Sequence, residues 1–579
     1  MDVLQINFKN GTDLIVKQFI IEGVEYIFGY PGGSIMPIYD SFHRYSEHIF
    51  YILSRHEQGA IYISGGYGQG HKRGNRNIGV SLATSGPGVT NFITGLADAF
   101  TDSTPILCIC GQVDSHFLGK NSFQETSIID TLLQITKWNA QVLLTQDIGI
   151  TLQKAFYIAN HGRLAPVFIE ITKDAQIKKD YFEDFQYKVE YYKIDRYCPF
   201  TNYASPIEKA YKLINYSKKP LVLVGQGIVL ANEELKYFIE KADLPLATST
   251  LGADVIDSTH PLFMGLLGMH GGYINNLLIN QCDVLIAIGI RLDDRVTGDI
   301  NRYAIKAKVI QIDIDTCEIN KIIHCHISVV GNCKQSLPII TEKLRKTTKK
   351  VWVDIFYKTK KCEEKIIIRD LYTENDVLTI GEVIKRINLY KDTDAILVTD
   401  VGQHQMVTSR YFYFSYINSQ VTSGGIGAMG VAIPAAIGSL LSSANKERQI
   451  ICIVGDGGIQ MTSQEFGTIL QYKLPIKIIM FNNSFLGLVR QWQELFFEKR
   501  YVSTKLINPN FVQVANSYEI ESKNFFKRNY LDIEVKEMLE YDNTNAYFLE
   551  YGVENEENVF PMIVTGSSVD DIWLNQKKQ

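Results

Sequence analysis

Short apolar runs that end in glycine- or aspartate-bearing loops recur along this chain. Runs of this length are too short for helices and read as strands buried on both faces, the mark of parallel sheets. In the first third they are Tyr26–Tyr30, Ile49–Leu53, Ile78–Ala83 and Pro105–Cys110, with helical periodicity over Leu14–Glu22 and Val89–Phe100. In the middle they are Pro220–Val224, Leu244–Ala247, Asp283–Ile288 and Lys308–Ile314. In the last third they are Leu397–Asp400, Ile450–Val454 and Ile476–Phe481, with a helix entered through Pro434. Strands alternating with helices predict an α/β protein.

The pattern divides the 579 residues into three doubly wound parallel-sheet domains, residues 1–185, 206–345 and 378–566. A Tyr- and Lys-rich stretch over about 186–205 reads as a linker. A second charged stretch, about 343–377, carries Lys360-Lys361-Cys362-Glu363-Glu364 and reads as a solvated tether. The polar tail Ser567–Gln579 is expected to be loosely ordered. The first and third domains share a strand–helix grammar without a sequence repeat.

Composition narrows the function classes. Apolar residues make up 46% and the net charge is −5, which argues against nucleic acid or an anionic membrane as partner. No apolar run reaches the ~18 residues of a membrane span. Nine scattered cysteines without a Cys-x-x-Cys fit a reducing compartment and no disulfide framework. The first residues have neither an apolar signal core nor an Arg/Ser-rich transit segment. With the abundance of Ile, Asn, Lys and Tyr, an AT-rich flavour, this gives an expectation of a plastid-encoded protein of the stroma or of a bacterial cytoplasmic one.

The chemistry concentrates where Ile450–Val454 runs into Gly455-Asp456-Gly457, and where the next strand ends in Asn482-Asn483. Glycine lets backbone amides approach a phosphate. Asp456 and Asn483 add hard oxygens, and Mg²⁺ takes few protein oxygens beside those of a phosphate. A bare Gly-Asp-Gly is as often an ordinary strand-to-helix turn; the asparagine pair turns the reading toward a magnesium-bound diphosphate. Two other signals carry less. Gly425-Ile426-Gly427-Ala428-Met429-Gly430 fits a dinucleotide fingerprint literally, but Val421-Thr422 is a poor strand and no acidic partner follows at the right distance. His324-Cys325-His326 with Cys333 matches no zinc spacing and reads as a surface loop. Glu57, taken alone, is an exposed loop carboxylate.

Eight segments in order carry a family resemblance. They are Arg55-His56-Glu57-Gln58-Gly59-Ala60, Ala83-Thr84-Ser85-Gly86-Pro87-Gly88, Phe123-Gln124-Glu125-Thr126 and Leu267-Gly268-Met269-His270-Gly271. Asp293-Asp294-Arg295-Val296-Thr297-Gly298, Thr422 to Gly430, Gly455 to Asn483, and Leu486 to Trp492 complete the set. Together they resemble the thiamine-diphosphate-dependent enzymes, and within them the acetohydroxyacid (acetolactate) synthase catalytic subunits.

The resemblance implies a pyrimidine-binding first domain, a central FAD-binding domain and a diphosphate-binding third domain. It implies thiamine diphosphate, Mg²⁺ and FAD as cofactors, 2-keto acids as substrates, and a homodimer or higher oligomer with its active site between subunits; the family often adds a regulatory small subunit. Glu57 then hydrogen-bonds the aminopyrimidine, Met429 wedges beneath the bent cofactor, Gln403, His404 and Gly427 also bind the cofactor, and Gly455, Asp456, Gly457 and Asn483 hold its diphosphate end. Asp456 and Asn483 are the implied metal ligands. Gln124 stands near the reacting substrate, and Arg295 and Trp492 resemble the acceptor pocket. FAD, in a structural role, is implied to bind through Arg163, Gly225, Gly227, Met269, His270, Gly289, Arg291 and Asp313. The implied reaction decarboxylates pyruvate and joins the two-carbon unit to pyruvate or 2-ketobutyrate, giving 2-acetolactate or 2-aceto-2-hydroxybutyrate.

Four features depart from the family: Val407 where tryptophan is common, Gly458 where serine is, Gln311 where histidine is, and Ile563–Ser568 where Pro-Ala-Gly usually follows Pro-Met-x. An FAD-containing pyruvate oxidase or another thiamine-diphosphate 2-keto-acid decarboxylase or carboligase is the nearest alternative, and a silent flavin-binding protein the more distant one. The chain has no His-His pair of the kind many simple decarboxylases use, and it keeps Glu57, which glyoxylate carboligase lacks.

Overall fold

A computed structural model describes residues 10–69, 78–179, 204–371, 377–442, 448–541 and 544–574. Three six-stranded sheets, parallel throughout, organise them. The first comprises β1 (Tyr26–Gly29), β2 (Phe50–Leu53), β3 (Gly79–Ala83), β4 (Ile106–Gln112), β5 (Trp138–Val142) and β6 (Val167–Thr172), in the order β2-β1-β3-β4-β6-β5. The second comprises β7 (Pro220–Val224), β8 (Leu246–Thr248), β9 (Phe263–Leu266), β10 (Val284–Ile288), β11 (Lys308–Asp313) and β12 (Ile327–Val330), in the order β12-β11-β10-β7-β8-β9. The third comprises β13 (Ile396–Thr399), β14 (Gln420–Thr422), β15 (Ile450–Gly455), β16 (Ile476–Asn482), β17 (Glu521–Phe525) and β18 (Tyr547–Gly552), in the order β14-β13-β15-β16-β18-β17.

The first and third sheets therefore share one topology, as their common grammar predicted. The middle sheet differs: read from β9, its order is that of the doubly wound nucleotide-binding fold, with the switch between β7 and β10. In all three the order reverses between neighbouring strands, and the loops leaving those strands open a crevice at their carboxyl ends. In the first sheet these follow β1 and β3, in the third β13 and β15.

The first and third domains share one apolar core, in which Phe28, Ile61 and Ile63 of the first pack with Val398, Ile437 and Cys452 of the third. Helices Glu57–Gln69 and Ala432–Ser442 cross at this seam. Their backbones approach so closely that a Cβ on Gly66 would collide with the Ala435 carbonyl, and one on Gly438 with that of Ile63. The middle domain keeps a separate core.

Three expectations are corrected. The stretch read as a tether is a helix, Lys350–Leu371. It buries Trp352, Val353 and Phe356 in the middle core, and Trp352 Nε1 donates to the Pro220 carbonyl at 2.8 Å. Further along, the buried Glu363 accepts from the Tyr273 N–H at 2.8 Å, so apolar burial and a buried carboxylate anchor the Lys-rich helix. The tail read as loose forms an antiparallel pair, β19 (Met562–Ile563) with β20 (Ile572–Trp573), and buries Ser568 and Val569. Val421-Thr422, read as a poor strand, belongs to β14, an edge strand beside β13. Most of the 186–205 linker and residues 575–579 lie outside the described residues.

Candidate active site

The glycine-aspartate turn sits where β15 meets helix Asp456–Thr462. One cavity there is lined by Gln403, His404, Met429, Gly455, Asp456, Gly457 and Asn483, together with Gly487 and Val489. Seven of the residues expected to hold the thiamine cofactor thus come together from the ends of β13, β15 and β16 and from the loop after β14. Gly427 lies outside this lining, with φ +71° and Val401 beside it.

Burial pushes the Asp456 carboxyl up to about 6, against the opposing hydrogen bond from Asn508. Asn508 Nδ2 donates to Asp456 Oδ2 at 2.7 Å and to Asn482 Oδ1 at 3.0 Å, so it holds the candidate metal ligand to the neighbouring strand. Nothing local in the sequence flags Asn508, because its partner is 52 residues away. Asn483 Nδ2 donates to Gln403 Oε1 at 3.3 Å. His404 is buried with Nε2 unpartnered, and burial lowers its pKa to about 4. A buried carboxylate with no ion pair among the described residues, a neutral imidazole with a free nitrogen and an amide oxygen make a donor set that fits a Mg²⁺-bound diphosphate.

Glu57 begins the helix Glu57–Gln69, and Asn91 Nδ2 donates to its Oε2 at 3.0 Å. Gln124 adopts φ +61° and packs its backbone on Gly86, while Gly88, in the same turn, borders Glu57. The structure therefore brings Glu57 and Gln124 to one turn at the carboxyl end of β3. Within one chain it does not bring them to the cavity of the third domain, whose lining residues all lie between 380 and 553.

A second cavity lies where all three domains meet. Arg163, Gly225, Gly227, Gly289, Arg291 and Asp313 line it, and so does Arg295. Met269 and His270 stand outside this wall. Met269 Sδ accepts from Arg295 Nη1 at 2.9 Å; burial and then Arg410 and Arg295 hold the His270 pKa down near 3. The glycines here make room more than they donate: the Gly225 N–H goes to the Ile288 carbonyl at 3.2 Å and that of Gly227 to Gly289 at 2.9 Å. Arg163 pairs with Glu318 at 2.7 Å and Asp315 at 3.2 Å. Burial raises Asp313 to about 6. Three arginines, a buried carboxylate and a switch-point crevice fit a dinucleotide carrying both phosphates and hydroxyls.

Trp492 packs against Phe496 with the rings tilted by 36° and their centroids 5.0 Å apart, and Phe496 lies 6.0 Å from Trp573 of β20. No hydrogen bond, ion pair or cation–π contact joins Trp492 to Arg295 among the described residues. The departures are absorbed locally. Val407 is a core residue, Gln311 donates to the Glu318 carbonyl at 2.8 Å, and a side chain at Gly458 would press on Asp400, 2.8 Å away. The dinucleotide-like loop has a different role: Asp102 accepts from the Gly424 and Gly425 amides, and Asp400 from that of Gly430. Sequence reasoning missed these carboxylates; the only signal was Asp98 and Asp102 four residues apart on an otherwise apolar helix. Among the described residues no three His, Cys, Asp or Glu side chains cluster as a metal site, and no helix is long and apolar enough to cross a membrane.

Comparison with known proteins follows the three domains. Residues 9–132 match the family described as thiamine pyrophosphate enzyme, N-terminal TPP binding domain. Residues 207–340 match its central domain and residues 400–550 its C-terminal TPP binding domain. The chain is 36% identical to an acetolactate synthase large subunit of Haemophilus influenzae, over 98% of this chain and 99% of that one. It is 34% identical to the acetolactate synthase isozyme 2 large subunit of Escherichia coli, over 96% and 98%. It is 36% identical to an acetolactate synthase large subunit of Cyanidium caldarium, over 97% and 96%.

Proposed function

Because the chain belongs to the thiamine pyrophosphate enzymes, and among them to the acetolactate synthase large subunits, we propose that it condenses the two-carbon unit of pyruvate with a second 2-keto acid. The products are 2-acetolactate from pyruvate and 2-aceto-2-hydroxybutyrate from 2-ketobutyrate, at the head of branched-chain amino-acid synthesis. The observation that carries this reading is the cavity shared by His404, Met429, Gly455, Asp456 and Asn483 at the switch point of the third sheet.

Thiamine diphosphate, when bound, supplies the carbon nucleophile and the electron sink for decarboxylation. The chain's residues position and protonate. Asp456 and Asn483 offer the oxygens for Mg²⁺, and the glycine turn exposes backbone to the diphosphate. The Glu57 carboxylate, held by Asn91, would hydrogen-bond the aminopyrimidine ring and hold or release the proton shared with it. Gln124 faces the substrate from the same turn, and Arg295 and Trp492 select the acceptor by a guanidinium for its carboxylate and an indole face for an added methyl group. The cavity between the domains takes FAD in a structural role, since the reaction involves no net redox change.

Glu57 stands apart from the third-domain cavity within one chain, and this supports a homodimer in which Glu57 of one subunit completes the site of the other. A regulatory small subunit fits the large-subunit names of the relatives. For compartment we propose the plastid stroma, on composition, with a bacterial cytoplasm as the alternative; fractionation of the source cells with an antibody to this chain decides between them. The ligand reading is tested at Asp456. Calorimetry on Asp456→Ala should find Mg²⁺-dependent binding of thiamine diphosphate abolished; retained binding would remove Asp456 as the metal ligand.

A further inference from the structure

One loop forms part of both cavities. The chain leaving β14 runs from Ser423 to Gly430 before helix Ala432–Ser442. Gly424 lines the cavity between the domains, beside Asp102 and Arg291. Met429, five residues on, lines the cavity of the third domain.

The loop has little slack. Asp102, at the end of helix Ile93–Thr101 in the first domain, accepts from the Gly424 N–H at 2.8 Å and the Gly425 N–H at 2.7 Å. The Ser423 hydroxyl donates to Asp98 and accepts from the Ala428 N–H at 2.9 Å, which ties the start of the loop to its end. Beyond Met429, the Gly430 N–H donates to the Asp400 carboxylate at 3.0 Å. A Cβ at Gly425 would lie 2.7 Å from Asp102 Oδ1 and 2.8 Å from Arg291 Nη2. The first, second and third domains therefore all touch at this one residue. Arg291 itself is fixed across the junction by donating to the Thr101 carbonyl at 2.6 Å.

We propose that Asp102 is a positioning residue that couples the two cavities. A ligand that engages Arg291 in the cavity between the domains fixes Asp102 and the Gly424–Gly425 amides. The Ser423 hydroxyl and the short loop carry that constraint to Met429. Coupling of this kind is reciprocal, so each ligand tightens the other by the same factor. This rests on the reading of the two cavities as flavin and thiamine diphosphate sites. It gives the flavin a function in a reaction without redox chemistry: it sets the wall against which the other cofactor rests.

The test is calorimetry on the full-length protein. The dissociation constant of FAD is measured with and without saturating thiamine diphosphate and Mg²⁺, for the wild type, Asp102→Asn and Ser423→Ala. The expected ratio in the wild type is at least about 5-fold, the lower end of common coupling factors. Asp102→Asn removes one acceptor oxygen and brings the ratio close to one. Ser423→Ala removes a single hydroxyl, so it folds where the aspartate variant does not, and it lowers the ratio part of the way. A wild-type ratio of one, with both ligands bound, overturns the coupling while leaving the sites intact. So does a ratio unchanged in Ser423→Ala, or in Asp102→Asn where that variant folds. Absence of heat for either ligand in the wild type refutes the site reading itself, and the proposal with it.

Discussion

At the scale of residues, the account places the acid–base work on a single carboxylate. Glu57→Gln should slow turnover by about 10²–10⁴, the usual worth of a positioned acid–base group, with the fold kept; steady-state rates near those of the wild type would remove Glu57 from the mechanism. Under the proposed function, acceptor selectivity rests on Trp492. One methylene in an apolar pocket is worth roughly 10–200-fold, so Trp492→Leu should blunt the preference for 2-ketobutyrate over pyruvate in a competition assay. An unchanged product ratio would end that assignment. Residues that line the third-domain cavity were legible, because glycine, aspartate and asparagine at strand ends are local signals. Residues that hold those in place were not. Asn508 on Asp456, Asn91 on Glu57 and Asp102 on Gly424 reach across 52, 34 and 322 positions, and no spacing announces them.

At the scale of elements, legibility followed burial. Central strands such as β7, β10 and β15 are continuous apolar runs and were read from the sequence to within a residue or so. β6 and β18 were missed although both are internal. Each carries a buried glutamate in the middle of its run. Glu170 accepts from Gln112 at 2.7 Å and Gln141 at 2.6 Å, and Glu550 from Asn482 at 2.7 Å. Partners on neighbouring strands make such a carboxylate tolerable, and the chain read in one dimension hides them. Edge strands such as β17 lack apolar character because one side faces water. Helix Lys350–Leu371 was obscured by its lysines, although Trp352, Val353 and Phe356 mark its anchoring face.

The helix Ile93–Thr101 makes a pH-dependent prediction. Burial, then the neighbouring Asp102, raises Asp98 to about 7, against the Ser423 hydroxyl. Tyr62 also faces Asp98, and Arg291 and Asp293 face Asp102. A carboxyl with a folded-state pKa above its unfolded value binds protons more tightly when folded. Its contribution is therefore present at low pH and is lost as pH rises from about 4 to 7. Asp98→Asn carries no such ionisation. Its melting temperature relative to the wild type should climb between pH 5 and pH 8 in a calorimetric scan, and a constant difference across that range would contradict a protonated Asp98.

At the scale of the molecule, the first and third domains, of one topology, share a core, and the middle domain, of another topology, closes a cavity against both. This geometry separates the two halves of the proposed site within a chain and makes subunit pairing testable. Glu57→Gln and Asp456→Ala, each impaired alone, should regain activity when the two proteins are unfolded, mixed and refolded, since a mixed dimer holds one intact site. No recovery would argue for a site within one chain.

The central claim is the reaction. Pure protein is incubated with pyruvate, thiamine diphosphate, Mg²⁺ and FAD, and the products are identified by mass. The account predicts CO₂ with 2-acetolactate. Acetaldehyde alone, acetyl phosphate in the presence of phosphate and oxygen, or no CO₂ at all would contradict it.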